Sequence, residues 1–125
     1  MTIPEPEVRV TRYEVSCMPE GHEVAHSLTI AVEYRGRGKW AVLNAPFCLG
    51  SDGEWDYEMR PSEREDEWLA THRFDLDTAL ELAKREAPLM SVNGWTVERI
   101  LADEAARLSA APAVQDSPAS EVSDG

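Results

Sequence analysis

The fold is decided by residues 39–87, which read KWAVLNAPFCLGSDGEWDYEMRPSEREDEWLATHRFDLDTALELAKREA. Apolar residues occupy every position of 40–43, a pattern typical of a central strand covered on both faces. Residues 54–59 alternate between acidic and apolar side chains, and 68–74 alternate again, so both segments predict strands with one face toward the core. The side chains assigned to that core face are Trp55, Tyr57, Met59, Trp68, Ala70, His72 and Phe74.

The same stretch ends in an amphipathic helix, predicted over residues 75–87. Asp75 is a suitable N-cap, because its carboxylate can accept a hydrogen bond from a backbone N–H that lacks a partner in the first turn. Pro88 cannot continue the helix. Apolar side chains recur at the three- and four-residue spacing of a buried helix face, at Leu76, Ala79, Leu80, Ala83 and Ala87.

Toward the amino terminus, residues 27–35 carry the clearest strand pattern in the chain, with apolar and polar side chains on opposite faces. Residues 8–17 also alternate, but the parity changes near Thr11, which predicts one strand with a bulge or two short strands. Residues 1–7 contain two prolines and two glutamates and are predicted to be a flexible lead.

Toward the carboxyl terminus, Asn93-Gly94 predicts a turn, and Thr96 can cap a second helix over residues 97–108. The composition of residues 109–125 has no periodicity and predicts a disordered acidic tail. We therefore predict a single α+β domain over residues 8–108. Its antiparallel sheet of about five strands has one helix packed across a face and a second, C-terminal helix.

Three cationic residues, Arg35, Arg37 and Lys39, alternate with glycines in the turn between the second and third predicted strands. One interpretation is an anion-binding loop. A solvated turn is the preferred interpretation, since neither a helix start nor aromatic residues accompany the charges.

Composition limits the function classes. The chain has 125 residues, 42% of them hydrophobic, which suffices for one core without a disulfide or metal. Its net charge of −12 opposes direct contact with nucleic acid and favours a basic protein partner. No apolar run approaches the roughly 18 residues of a membrane span, and no signal-peptide pattern opens the chain. We therefore expect a cytoplasmic protein with no membrane contact, in which Cys17 and Cys48 are thiols.

The negative charge is concentrated between Asp52 and Glu67, where eight acidic residues and two arginines give a net charge of −6. Carboxylates two residues apart on a strand share a face and lie about 7 Å from each other. One interpretation is a solvated face with a charged edge that prevents unwanted strand pairing. The other is a docking surface for a basic partner, formed by Glu54, Asp56, Glu58, Glu63, Glu65, Asp66 and Glu67.

One motif indicates a specific chemistry, because residues 22–26 read H-E-x-x-H as in zinc-dependent metallopeptidases. On a helix, His22 and His26 would share a face and bind zinc, and Glu23 would activate a bound water. The motif needs a stable helix, whereas Gly21 precedes it and a strand pattern begins at Leu28. We therefore predict a polar loop without metal, and no other catalytic pattern or cofactor motif is present.

A wider resemblance involves GRGKWAV (36–42), CLGSDGEWDYE (48–58), PSEREDEWLATHRFDLDTALELA (61–83) and APLMSVNGWTV (87–97). This succession resembles small uncharacterised proteins of GC-rich actinobacteria and their phages or mobile elements. It covers about residues 13 to 101 and implies a context rather than an activity. By analogy, an acidic protein in a phage setting would be a host-factor inhibitor or a DNA mimic.

The sequence thus favours a non-enzymatic binding module that presents an acidic strand and loop to a basic protein partner, without a cofactor. Two alternatives stay open. One is a small zinc-dependent hydrolase that uses His22, Glu23 and His26, and the other is a DNA-mimic inhibitor of a nucleic-acid-binding protein.

Overall fold

The computed structural model describes residues 2–110, and the chain divides into two compact units, Met1–Met90 and Ser91–Gly125. The strands of the first unit are β1 (Arg12–Val15), β2 (Ile30–Gly36), β3 (Lys39–Asn44), β4 (Phe47–Leu49) and β5 (Trp55–Tyr57). They form one antiparallel sheet in the order β1-β2-β3-β4-β5. The helices of this unit are α1 (Asp66–His72) and α2 (Leu76–Glu86). The predicted α+β class and the five-stranded antiparallel sheet are confirmed.

The second unit begins with a short hairpin of β6 (Ser91–Val92) and β7 (Trp95–Thr96), followed by α3 (Val97–Ala110). Asn93 and Gly94 form the turn with φ angles of 50° and 82°, the left-handed conformation that two-residue hairpin turns require. The Thr96 hydroxyl accepts a hydrogen bond from the Arg99 N–H at 3.1 Å and caps α3. The predicted turn and second helix are therefore confirmed, whereas the predicted tail lies, from residue 111 onward, outside the described residues.

One face of the sheet packs against α2. The buried residues of this core are Ile30, Val32, Trp40, Val42, Leu49, Phe74, Ala79, Ala83 and Ala87. The helix contributes only alanines to this set, and their small side chains let its backbone approach the sheet closely. Asp75 caps α2, because its Oδ1 accepts a hydrogen bond from the Thr78 N–H at 2.8 Å. The predicted cap and the predicted apolar face of this helix are confirmed.

On the opposite face of the sheet, a smaller buried cluster packs against α1. The buried residues on this side are Ala31, Ala41, Leu43 and Cys48, and Trp68 of α1 packs against them. Covering on both faces explains why every residue of 40–43 is buried, as the unbroken apolar run predicts.

The strand predicted over residues 68–74 is wrong, because most of this segment belongs to α1. Trp68 and His72 lie four residues apart, so they share one helix face, and their rings stack with centroids 4.3 Å apart. Phe74 alone pairs with the sheet in this segment, through a bridge to Trp40. The fifth strand of the sheet is instead β4, a segment that the sequence patterns assign to no strand.

At the amino-terminal edge, β1 is shorter than the strand predicted over residues 8–17. It pairs with β2 from Arg12 to Val15, and the Thr11 carbonyl accepts one more hydrogen bond from the Tyr34 N–H at 2.9 Å. Within residues 2–110, no helix is both long enough and apolar enough to cross a membrane.

Candidate functional site

Two of the three carboxylates predicted to form a solvent-facing stripe, Asp56 and Glu58, contact residues at the end of α1 or just after it. Asp56 and Glu58 share a face, as the alternation predicts, although the Asp56 side chain is still 52% exposed. Asp56 Oδ2 lies 2.9 Å from His72 Nε2. The Glu58 side chain is only 18% exposed. Tyr57, predicted to point into the core, is 67% exposed, so the predicted orientation of this strand is wrong at that residue.

Glu58 lies at the centre of a cluster of arginines. Its Oε2 accepts hydrogen bonds from Arg73 Nη2 at 3.1 Å, Arg64 Nη2 at 3.2 Å and Arg35 Nη2 at 3.3 Å. These arginines come from β2, from the loop before α1 and from the residue after α1. One carboxylate therefore joins the sheet to both ends of the helix segment.

Arg73 is the most buried member of this cluster, with a side chain that is only 5% exposed. Its Nη1 donates a hydrogen bond to the His72 carbonyl at 2.8 Å, and its guanidinium lies 5.0 Å from the centroid of the Trp68 ring. The cation–π contact and the hydrogen bonds replace the water that this charge loses on burial. We conclude that the pair of Glu58 and Arg73 is structural.

The Cys48 thiol lies beneath the same cluster, 3.6 Å from Arg73 Nη1. Burial is the main cause that raises its pKa to about 12, and the negative charge of Glu58 adds to the effect. The thiol therefore stays protonated at neutral pH and is a poor nucleophile. Cys17 is exposed, and both cysteines are free.

Four of the seven predicted binding residues form an exposed group, which we call the acidic surface: Glu54, Glu65, Asp66 and Glu67. Within residues 2–110, none of the four takes part in an ion pair. Glu63 is exposed as well but pairs with Arg60 at 2.8 Å. The other two predicted residues, Asp56 and Glu58, are held by the internal contacts described above.

Backbone contacts place the turn that carries Glu54 beside α1. The Ser51 N–H donates a hydrogen bond to the Thr71 carbonyl at 2.8 Å, and the Gly50 N–H donates to the Glu54 carbonyl at 2.9 Å. Glu67 lies one helical turn before Thr71, whose hydroxyl reaches the Glu67 carbonyl at 3.4 Å. Glu54 therefore lies in a turn beside the end of α1, whereas Glu65, Asp66 and Glu67 lie at its start.

The H-E-x-x-H segment does not form an α-helix. His22 and Glu23 lie in a turn, and His26 lies in a 3₁₀ helix, Ala25–Leu28. The Val24 N–H donates a hydrogen bond to His22 Nδ1 at 3.3 Å, while His26 Nε2 lies 3.3 Å from the Ser27 hydroxyl. No group of three or more His, Cys, Asp or Glu side chains is arranged to hold a metal ion in the part of the chain that the structure describes. The geometry gives the zinc-hydrolase alternative no support.

No sequence pattern indicates a role for Arg64 or Arg73. The signal that could have found Arg73 is the spacing of Trp68 and His72. If the segment is taken as a helix, Trp68 and His72 both face the sheet. Arg73 comes directly after His72 and is thereby placed near Glu58.

Comparison with protein-family models, with curated proteins and with solved structures gives no match to this chain.

Proposed function

We propose that the chain is a non-enzymatic binding module whose acidic surface docks against a basic protein partner. The observation that supports this proposal is the contrast between two sets of carboxylates. Asp56 is hydrogen-bonded to His72, and Glu58 and Glu63 make ion pairs with arginines, whereas Glu54 and residues 65–67 are exposed and have no ion-pair partner among residues 2–110. The second set carries charge that no ion pair compensates within this range.

Uncompensated like charges at one site attract a partner of the opposite sign and speed its association. Such rim charges act mainly on the association rate and on its dependence on salt. The edge strand β5 adds an aromatic residue, because Tyr57 is exposed and its ring lies 5.0 Å from that of Phe47. Aromatic side chains are enriched in protein interfaces.

The partner is a protein rather than a nucleic acid, because the phosphate backbone would be repelled by the acidic surface. The compartment is the cytoplasm, and the context is a phage or a mobile element. A DNA mimic would use the same surface, with a partner that itself binds nucleic acid.

The test is charge reversal with a matched control. In the site variant, Glu54, Glu65 and Glu67 are replaced with lysine. In the control variant, three exposed acidic residues elsewhere, Glu20, Glu81 and Glu98, are replaced with lysine, so that both variants have the same net charge.

The probe is a lysine-rich peptide of 15 residues, and its affinity is measured by fluorescence anisotropy. We expect the site variant to lose at least about tenfold in affinity, which corresponds to about 1.4 kcal/mol, and the control to lose much less. Equal losses in both variants would mean that only the net charge matters, and the proposal would then be rejected. Circular dichroism checks that both variants keep the fold.

A further inference from the structure

A cationic cleft lies between the β2–β3 turn and α1, within the first unit of this acidic protein. Its volume is about 520 Å³, and five cations line it: Arg35, Arg37, Lys39, Arg64 and Arg73. Arg35 lies near the end of β2, Arg37 in the turn and Lys39 at the start of β3, whereas Arg64 and Arg73 flank α1. The structure therefore joins the basic turn noted in the sequence to arginines that are more than twenty residues away.

The cleft keeps an excess of positive charge after internal pairing. Within the described residues, two carboxylates make ion pairs with these five cations, namely Glu58 with three arginines and Glu33 with Arg35. Three positive charges remain in excess. Arg37 and Lys39, both exposed, make no ion pair with any residue of the described range, although Lys39 lies near enough to Asp75 to contribute to lowering its pKa.

The backbone at Arg37 is unusual for its residue type. Its φ is 57°, between Gly36 at 93° and Gly38 at 74°, and the turn is fixed by a hydrogen bond from the Gly38 N–H to the Tyr34 hydroxyl at 3.0 Å. A two-residue hairpin turn of this kind favours glycine, asparagine or aspartate at position 37, because a side chain resists the left-handed conformation. An arginine here points to a use for its charge rather than to a requirement of the turn.

We propose that this cleft binds a small organic phosphate. Guanidinium groups present paired N–H donors that match phosphate oxygens. Arg37 offers such a group in the cleft beside the Lys39 ammonium, while Arg35, Arg64 and Arg73 line the cleft but are held by Glu58. Pro61, Leu69 and Ala70 add an apolar lining that suits the organic part of the ligand. The volume lies in the range of about 300–1,000 Å³ that is typical of small-molecule sites.

A polymeric ligand is disfavoured by the charge around the cleft. The net charge of −12 repels a long polyanion more than a small anion, because a polyanion extends beyond the five cations that line the cleft. This cleft is a different surface from the acidic surface, and its ligand is an anion rather than a basic protein. Either proposal can fail without the other.

The test is calorimetric titration of the full chain with phenyl phosphate, at an ionic strength of about 50 mM to limit screening. We expect saturable binding of one phenyl phosphate per chain, weaker binding of inorganic phosphate and none of phenol. In the site variant Arg37→Gly/Lys39→Gln we expect at least about a tenfold loss of affinity. Glycine suits the backbone at position 37, so the fold should survive and the melting temperature should not fall.

The control variant is Arg9→Gln/Lys84→Gln, which removes the same charge at two exposed positions outside the cleft and should bind as the wild type does. Unchanged affinity in the site variant would overturn the proposal. So would a lack of saturation up to about 10 mM phenyl phosphate, where a millimolar Kd is evident. If inorganic phosphate binds as tightly as phenyl phosphate, the ligand need not be organic and that part of the proposal is overturned. If a 15-nucleotide DNA strand binds more tightly than phenyl phosphate, the assignment of a small ligand is overturned.

Discussion

Replacing Glu58 with glutamine is expected to destabilise the protein much more than the same change at Glu63. Both glutamates pair with arginine, but in different surroundings. Glu58 is 18% exposed and contacts Arg73, which is 5% exposed, as well as two further arginines. Glu63 is 43% exposed, and its partner Arg60 is 80% exposed.

The magnitudes follow from this difference in burial. Removing one member of a buried ion pair costs about 3–5 kcal/mol, because the remaining charge has lost its water without compensation. Glu58 keeps some contact with solvent and glutamine keeps one acceptor oxygen, so we expect a somewhat smaller cost of about 2–4 kcal/mol. An exposed pair contributes less than about 1 kcal/mol. Domains of this size unfold at about 5–15 kcal/mol, so the change at Glu58 removes a large fraction of the stability.

The assay is urea unfolding at pH 7, followed by tryptophan fluorescence, with the free energy obtained by linear extrapolation. Trp68 reports directly, because the Arg73 guanidinium lies over its ring. Salt near 1 M shortens the screening length to about 3 Å and should remove the effect at Glu63 but not the effect at Glu58. Equal losses of free energy in the two variants, at unchanged m-value, would refute the view that this cluster is a buried structural element.

Two further predictions concern single groups. Cys48 should resist iodoacetamide at pH 8 in the folded protein while Cys17 reacts, because burial raises the pKa of the Cys48 thiol to about 12. Peptide mass spectrometry measures this, and equal labelling of both thiols would contradict it. The hydrogen bond from the Thr78 N–H lowers the pKa of Asp75 below its ordinary value of 3.8, so its stabilisation of α2 is complete above that pH and is lost as the pH falls through the lower, folded-state value. The difference in unfolding midpoint between wild type and Asp75→Ala should therefore shrink on acidification, and a difference that does not change with pH would refute the assignment.

The sequence predicts those elements whose signals are local. β2, α2 with its Asp75 cap and α3 with its Thr96 cap follow from periodicity and capping residues alone. The burial of residues 40–43 also follows, because an unbroken apolar run is stable only when both faces are covered.

The errors arise where two periods fit the same residues. Trp68 and His72 are four residues apart. At this spacing two side chains lie on the same face of a strand, and they also lie on the same face of a helix. The choice is made by tertiary packing, since β4 already pairs with β3 and β5 from Phe47 to Leu49 and a further strand has no place between them.

The candidate site shows the same limit. Alternation places Asp56 and Glu58 on one face, but it cannot identify the element that covers that face. Once α1 lies there, His72 and Arg73 become their partners and the charge available to other molecules moves to the start of the helix. The cationic cleft is less accessible still to sequence reasoning, because it depends on the approach of Arg64 and Arg73 to a turn far away in the chain.

The left-handed backbone of Arg37 has a consequence for protein engineering. A screen that rewards heat resistance alone should select glycine or asparagine at this position, since either relieves the conformation at φ 57°. The thermostable variants would then carry a less charged β2–β3 turn. A library selected for survival at high temperature would therefore discard an arginine that the turn itself does not require.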